Sequence, residues 1–341
     1  MRREIGEIPA TVARIRDAAS EIEAVAAVIR DFAPRWVTIA ARGTSDHAAV
    51  YAQYLIESQL GIPTGLAKPS ITTLYEAPLD WRDGLLLAIS QSGRSPDIVA
   101  VTDAARRGGA LTLSIVNEEG SPLAAAAEMA LPCLAGPELA IPATKTYVAD
   151  LAVLAALVAA LSPHGELRDA LPALPDTLSA VEEGTDAWLR ESADVLDAFA
   201  AADRALVVSR GYNLATALEL ALKLKETCGL FAEPYSSADF AHGPLILAGP
   251  GVPALGIRPD GPIGRLVDQA LANIRSRGGQ PVCIGDSEAD PEALILPMDL
   301  PEILTPLPFA VAGQLLVEAI ARRRGLDPDA PPGLNKVTLT R

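Results

Sequence analysis

The chain has 341 residues, of which 50% are hydrophobic and 21% charged, and its formal net charge is −15. This length and composition predict two packed domains of ordinary size and exclude wholesale disorder. The negative charge argues against a nucleic acid or a membrane as partner, because either would need a broad basic face. A small phosphorylated ligand, which meets only its own pocket, is compatible with this charge.

The N-terminal segment, residues 1–31, is predicted to be helical, and its charges stand where a signal peptide needs an apolar run. Cys133, Cys228 and Cys283 are scattered and form neither a CxxC pair nor a disulfide framework. The most apolar span, 148–162, contains an aspartate and is too short to cross a bilayer, which predicts a buried core helix. Together these features predict a cytoplasmic protein.

The two halves of the chain repeat one pattern. Gly43 and Gly211 are 168 residues apart, and so are Gly93 and Gly261. Each half reads strand, glycine turn, helix, strand, glycine turn, helix, glycine pair, strand, with continuous apolar runs as strands. This alternation predicts an α/β fold in which each half is a doubly wound, flavodoxin-like parallel sheet flanked by helices. The predicted parts are domains at 32–162 and 198–325, linker helices at 163–197 and a C-terminal tail at 326–341.

Polar residues cluster after two predicted strands of the first half. The run RGTS follows the first strand, and SQSGRSPD follows the next one. Ligands of parallel sheets bind at such places, where helix N-terminal amides and hydroxyls together suit a phosphate. One hydroxyl alone would be a helix cap, but the two turns carry several. The residues are Thr44, Ser45, Ser90, Gln91, Ser92 and Ser95. The second half has RGYN and IRPDGP instead, so only the first half is predicted to bind phosphate.

A helix in the second half carries charges among apolar residues. Glu219, Lys223 and Glu226 in ALELALKLKE are spaced i, i+4 and i+7, which puts them on one helical face. Spacing alone favours a solvated row of salt bridges over a catalytic group. A carboxylate, a lysine and the loop histidine His242 are nevertheless residue types that perform proton transfer and imine chemistry.

Six motifs resemble one known family. GTS, SQSGRSPD, PATKT, ALELALKLKE, AHGP and LNK occur in the order and spacing typical of the isomerase half of glucosamine-6-phosphate synthase, a tandem pair of sugar isomerase (SIS) domains. The resemblance covers essentially the whole chain. It does not extend to the glutaminase domain of the synthase, so we expect no use of glutamine as a nitrogen source. The stand-alone group with this pattern includes glucosamine-6-phosphate deaminases and fructosamine-6-phosphate deglycases.

The resemblance implies a binding site for a sugar phosphate. In it, Thr44, Ser90, Gln91, Ser92 and Ser95 would hold the phosphate, with Gly43 and Ser45 beside them. Asn335 would add a contact to the substrate. Neither a cofactor nor a metal is implied, and no His/Cys/Asp cluster with metal-ligand spacing is seen in the sequence.

The resemblance also implies the catalytic groups. Glu226 would move a proton between C1 and C2 of the sugar, and Lys223 would polarise the sugar oxygens. His242 would open the sugar ring, entering the site from the neighbouring subunit of a homodimer. Lys336 would form a Schiff base with the ketose from a C-terminal tail that folds over the site.

The chain departs from the synthase pattern at three positions. Arg42 replaces a small residue, while Pro142 and Ala143 stand where the synthase has a small residue and a serine. The leading interpretation is a reversible conversion of glucosamine 6-phosphate and water to fructose 6-phosphate and ammonia. A fructosamine-6-phosphate deglycase and a non-catalytic sugar-phosphate sensor are the alternatives.

Overall fold

A computed structural model describes residues 1–285 and 292–336. The chain divides into two compact units. The first unit contains residues 10–138, 145–172 and 335–336, and the second contains 1–9, 139–144 and the described part of 173–334. The domain boundaries expected from the sequence stay a prediction.

The first unit is built on a five-stranded sheet. Its strands are β1 (Trp36–Ala40), β2 (Thr64–Leu66), β3 (Gly84–Ser90), β4 (Leu111–Val116) and β5 (Met129–Pro132). The order is β2-β1-β3-β4-β5, and every pairing is parallel. All seven residues of the central strand β3 are buried, as expected for a strand covered by helices on both faces.

Helices cover this sheet and precede it. In chain order they are α1 (Arg2–Ile5, in the second unit), α2 (Ile8–Asp17), α3 (Ala19–Phe32), α4 (Thr44–Leu60), α5 (Pro69–Thr73), α6 (Pro96–Arg107), α7 (Pro122–Ala126), α8 (Lys145–Leu161) and α9 (Glu166–Ala170). Helix α8 is buried along most of its length, so the predicted core helix is confirmed. No helix in the described ranges has both the length and the apolar character needed to cross a membrane.

The second unit repeats the architecture with a four-stranded parallel sheet. Its strands are β6 (Arg204–Ser209), β7 (Phe231–Ser236), β8 (Pro253–Ile257) and β9 (Gln280–Ile284), in the order β7-β6-β8-β9. Its longer helices are α10 (Leu174–Glu191), α11 (Ala193–Ala201), α12 (Leu214–Cys228), α13 (Ser237–Ala241), α14 (Gly261–Ser276) and α15 (Pro306–Arg323). The predicted class, two tandem α/β units with parallel sheets, is confirmed.

The repeat is visible in the backbone as well. Gly43 and Gly211 have φ of +57° and +64°, and Gly93 and Gly261 have +59° and +80°. Side chains other than glycine rarely adopt these angles, which explains why both halves use glycine in the turns that follow the strands. The equal spacing in the sequence therefore marks equivalent strand-to-helix turns.

Helix α12 is largely buried, and α15 lies very close to one of its faces. A Cβ atom on Gly313 of α15 would lie only 2.1 Å from Cδ1 of Leu220 in α12. At one end of α12, the buried Asn213 side chain donates to the hydroxyl of Thr305, at 2.7 Å. At the other end, Gly229 terminates the helix with φ of +63°. This packing positions the charged residues of α12 described below.

Candidate active site

The segment after β3 forms a tight polar loop in the first unit. The Ser90 hydroxyl accepts a hydrogen bond from the Gly93 amide at 3.1 Å, and the Ser92 hydroxyl accepts one from the Arg94 amide at 3.4 Å. Gly93 cannot be replaced without movement, because a Cβ atom there would lie 2.1 Å from Oγ of Ser121. The loop thus has a defined shape, with Ser90 and Ser92 largely buried.

Ser95 stands at the N-cap position of α6 but makes no side-chain capping hydrogen bond. The first helical residue is Pro96, which has no N–H to satisfy. The interpretation that this hydroxyl is only a helix cap therefore fails for Ser95. Its place at a helix N-terminus, beside the loop that carries Gln91, suits contact with an anion.

The second group of polar residues follows β1, the neighbour of β3 in the sheet. Ala40 of β1 is in register with Ala88 of β3, so the two strands end at the same edge. Gly43 is the N-cap residue of α4, and Thr44 and Ser45 form its first turn, with Ser45 buried. The two polar turns therefore lie at one edge of the sheet; binding of phosphate there stays a prediction.

Arg42 has a specific partner at this edge. Its guanidinium lies 2.8 Å from Oδ2 of Asp97, a buried carboxylate in the first turn of α6. Half of the Arg42 side chain is exposed. This departure from the synthase pattern therefore neutralises an acidic group close to the polar loop, where that charge would oppose an anionic ligand.

The matching edge of the second unit is arranged differently. The hydroxyl of Ser209 is buried and donates to the carbonyl of Ile257, at 2.8 Å. The guanidinium of Arg258 pairs with Asp268 and Asp260 at 3.1 and 3.3 Å. These polar groups already form a hydrogen bond and ion pairs within the protein. This agrees with the expectation that only the first half binds a phosphate.

The charged row on α12 is not a solvated surface. Nζ of Lys223 lies 3.4 Å from Oε1 of Glu219 and 2.5 Å from Oε2 of Glu226. The side chains of Glu219 and Lys223 are 0% and 1% exposed, and that of Glu226 is 24% exposed. The interpretation that spacing favoured, an exposed row of salt bridges, is wrong because α12 is covered on this face. Lys225, on another face, is the exposed one and pairs with Glu233.

The electrostatics of this triad are set by its two carboxylates. Burial alone would lower the pKa of Lys223, but the negative charges of Glu219 and Glu226 outweigh it and raise the pKa above its ordinary value. Lys223 is therefore an ammonium throughout the neutral range. It holds one oxygen of Glu226 while that carboxylate keeps contact with solvent, which is the geometry of a positioned base beside a fixed positive charge.

His242 lies apart from this triad. It follows α13, its side chain is exposed, and its amide donates to the carbonyl of Asp239 at 3.1 Å. Within the described chain, no hydrogen bond or ion pair joins it to Lys223 or Glu226. The role of His242 in a partner subunit's site stays a prediction.

In the C-terminal segment, Lys336 forms an ion pair with a buried carboxylate, that of Glu138. Asn335 is exposed, whereas Nζ of Lys336 lies 3.0 Å from Oε2 of Glu138, and the two side chains are 25% and 0% exposed. Sequence analysis overlooked Glu138 and gave Glu219 no role. The signal for Glu219 was its i, i+4 spacing from Lys223, whereas nothing local distinguishes Glu138.

Comparison with known proteins identifies relatives along the whole chain. The SIS domain model matches residues 34–160 and 198–294. The glutamine--fructose-6-phosphate aminotransferase [isomerizing] of Methanothermobacter thermautotrophicus is 36% identical over 98% of this chain, which covers 56% of that protein. The chain thus spans about half the length of the curated relatives it matches.

Solved structures agree with this match. A candidate phosphosugar isomerase from Silicibacter pomeroyi is 38% identical with a TM-score of 0.87, over 96% of this chain and 99% of that one. The C-terminal domain of glucosamine-fructose-6-phosphate aminotransferase from Francisella tularensis has a TM-score of 0.83 at 24% identity, over 97% and 98%. Glucosamine-6-phosphate deaminase from Thermotoga maritima has a TM-score of 0.73 at 22% identity, over 97% and 99%. The last two likenesses show a shared fold.

Proposed function

The chain belongs to the sugar isomerase (SIS) domain family, and from that premise we propose that it is a sugar-phosphate isomerase that also releases ammonia. The proposed reaction converts glucosamine 6-phosphate and water to fructose 6-phosphate and ammonia, reversibly. One observation carries the proposal: the buried Glu219–Lys223 pair holds Glu226 at the edge of solvent. A sensor that only bound a sugar phosphate would have no use for such a base.

The phosphate would be bound by the first unit. Ser90, Ser92 and Ser95, together with Gln91 and Thr44, offer hydroxyls, an amide and helix N-termini at one sheet edge. Such groups bind a dianion without a strongly basic pocket. Arg42 would assist by offsetting the charge of Asp97.

The proton transfer would be carried by Glu226. His242 opens the sugar ring, and Glu226 then takes the proton from C2 of the aldose and returns it to C1, while the aldehyde oxygen gains a proton and the C2 nitrogen loses one. This leaves an imine at C2. Lys223, held charged by its two carboxylates, would stabilise the negative charge that develops on the sugar oxygen.

Lys336 would release the ammonia. Its neutral amine adds to the C2 imine, and the nitrogen of the sugar leaves as ammonia, so that a Schiff base to Lys336 replaces the first imine. Water then hydrolyses the Schiff base to the ketose and the free lysine. In the reverse direction the same amine attacks C2 of fructose 6-phosphate, and the carbonyl oxygen leaves as water.

One observation favours a second candidate substrate, a fructosamine 6-phosphate. Ala143 lacks the hydroxyl that the synthase pattern has at this position, so the amino-group end of the pocket need not match glucosamine 6-phosphate. A fructosamine 6-phosphate, with a larger group on nitrogen, would then be cleaved to an amino acid and a sugar phosphate. The same base and lysine would serve both reactions.

The exposed His242 also supports a proposal on assembly. A ring-opening group must reach the substrate, and His242 makes no contact with the described base within its own chain. We propose a symmetric homodimer in which His242 enters the site of the partner subunit.

A panel of substrates tests the reaction. Purified protein is incubated with glucosamine 6-phosphate or with fructosamine 6-phosphates, and released ammonia and amino acids are measured separately. Ammonia from glucosamine 6-phosphate is the expected result. Amino-acid release alone would identify a deglycase, and tight binding of sugar phosphate without any turnover would identify a sensor.

A further inference from the structure

The carboxylate of Glu138 is held by three hydrogen bonds in the first unit, outside the groups already assigned. It lies in the segment between β5 and α8, and its side chain is fully buried. Oε1 accepts a hydrogen bond from the Thr146 amide at 3.1 Å. Oε2 accepts one from the Thr146 hydroxyl at 2.6 Å and one from Nζ of Lys336 at 3.0 Å.

Two of these three donors are independent of the C-terminal tail. The Thr146 amide lies in the first turn of α8, where helix N–H groups have no partner within the helix and the helix dipole favours negative charge. Both oxygens of Glu138 are therefore held by α8 before any lysine arrives. The carboxylate is therefore held independently of the lysine, whose side chain is the more exposed partner of this ion pair.

The hydrogen bond to Glu138 restricts where the Lys336 amine can lie. Lys336 is preceded in sequence by two exposed residues, Leu334 and Asn335. A lysine side chain in such a segment would sample many rotamers, since its flexible stem has several rotatable bonds. A hydrogen bond to a rigid, buried carboxylate 198 residues earlier in the chain restricts both the amine and the backbone that carries it.

We propose that Glu138 positions Lys336 and accepts the proton that this amine must lose to become a nucleophile. The inference rests on the proposed function, in which Lys336 attacks C2 of the sugar. The ammonium of Lys336 passes one proton to Oε2 of Glu138, which gives a neutral amine and a neutral acid. Hydrolysis of the Schiff base later frees the amine, the proton returns from Glu138, and the ion pair is restored.

Trapping of the Schiff base tests this role. The full-length protein is mixed with fructose 6-phosphate and borohydride, and the reduced adduct is located by mass spectrometry. Glu138→Gln keeps the size of the side chain but removes its charge and its basicity. We expect trapping on Lys336 and kcat to fall about 10- to 100-fold, while the affinity for the sugar phosphate changes much less. Wild-type trapping by this variant would overturn the inference.

Two further variants separate positioning from folding. Thr146→Val removes the hydroxyl that holds Oε2 but keeps the amide and Glu138, so it should cause a smaller fall in trapping. Asp80→Asn removes an exposed ion pair with Arg82 in the same unit and should leave trapping unchanged. If Glu138→Gln does not fold, a fall with Thr146→Val and none with Asp80→Asn still supports the inference. Equal values for both variants would contradict it.

Chemical labelling distinguishes failure of this inference from failure of the proposed function. The acetylation rate of Lys336 relative to Lys68 is measured without sugar in the wild type and in Glu138→Gln. A several-fold slower rate in the variant is expected, because the amine has lost the carboxylate that takes its proton. In one outcome, the two labelling rates differ while the wild type forms no adduct with fructose 6-phosphate. The imine step of the proposed function is then wrong, and the proton transfer that serves it must be rejected as well. If the wild type forms the adduct but Glu138→Gln changes neither the labelling rate nor the trapping, only the inference about Glu138 is wrong.

Discussion

The ammonium of Lys223 lies 3.4 Å from the carboxylate of Glu219, and neither side chain has more than 1% of its surface exposed. Removing one partner of such a pair leaves a charge buried without its counter-charge, whereas removing both leaves a neutral interior. Lys223→Met should therefore lower the free energy of unfolding by about 3–5 kcal/mol. The double variant Lys223→Met, Glu219→Gln should recover most of this loss. Urea titrations measure both, and equal stability of the wild type and the single variant would contradict the buried pair.

The pH dependence of this contribution follows from the raised pKa of Lys223. A raised pKa in the folded state stabilises the protein fully below the unfolded pKa, which is about 10.4 for lysine, and the stabilisation is lost as pH rises through the folded value. The stability difference between the wild type and the double variant Lys223→Met, Glu219→Gln should therefore be flat from about pH 6 to pH 9 in urea titrations. It should shrink only in strongly alkaline solution.

Replacing Glu226 by Gln should abolish turnover without loss of substrate binding. The change keeps the size of the side chain but removes the carboxylate, and loss of a general base usually costs a factor of about 10² to 10⁴. Glu233→Gln is the matched control, because Glu233 also pairs with a lysine of α12, Lys225, but is partly exposed and has no proposed role. Similar turnover by both variants would mean that Glu226 is structural.

Ser95→Ala should weaken phosphate binding without lowering stability. Its hydroxyl makes no capping hydrogen bond, so the usual loss on removing an N-cap does not apply. A lost hydrogen bond to a charged phosphate should weaken binding of glucose 6-phosphate about 10- to 100-fold. Ser236→Ala provides the contrast, since Ser236 does cap α13 by accepting from the Asp239 amide. It should lower stability and leave binding intact; the reverse pattern would refute the phosphate site.

A mixed dimer tests the placement of His242. Glu226→Gln and His242→Ala should each be inactive alone. If His242 acts in the partner's site, a dimer of one chain of each kind has one site with both groups intact. Random pairing should therefore restore activity to roughly a quarter of all sites. Heterodimers that are verified by mass spectrometry yet stay inactive would place His242 in its own chain's site.

The three cysteines should be unreactive in the folded protein. All are buried. Burial raises the pKa of the Cys228 thiol to about 11 and that of the Cys133 thiol well above its ordinary value. Because the thiolate is the reactive form, a disulfide reagent should label no thiol in native protein and three after unfolding. Rapid native labelling of any of them would show that the core opens.

Local pattern was sufficient to predict the architecture. Alternating apolar strands and helices predict parallel sheets, and the glycines at 43, 93, 211 and 261 mark turns because only glycine readily adopts their positive φ. The polar turn at 90–95 was also visible, since strand ends and helix starts are short-range features. The shared edge of β1 and β3 follows from the same rules of sheet topology.

Burial and distant pairing were decided by the tertiary structure alone. The spacing of Glu219, Lys223 and Glu226 is the same for an exposed row of salt bridges and for a buried triad. In the folded chain, the side chains of Glu219 and Lys223 are 0% and 1% exposed because other parts of the chain cover this face of α12. Glu138 and Lys336 are 198 residues apart, and no periodicity links them. Whether a charge is desolvated depends on what the folded chain places over it, and this is a property of the packed molecule that residue spacing does not contain.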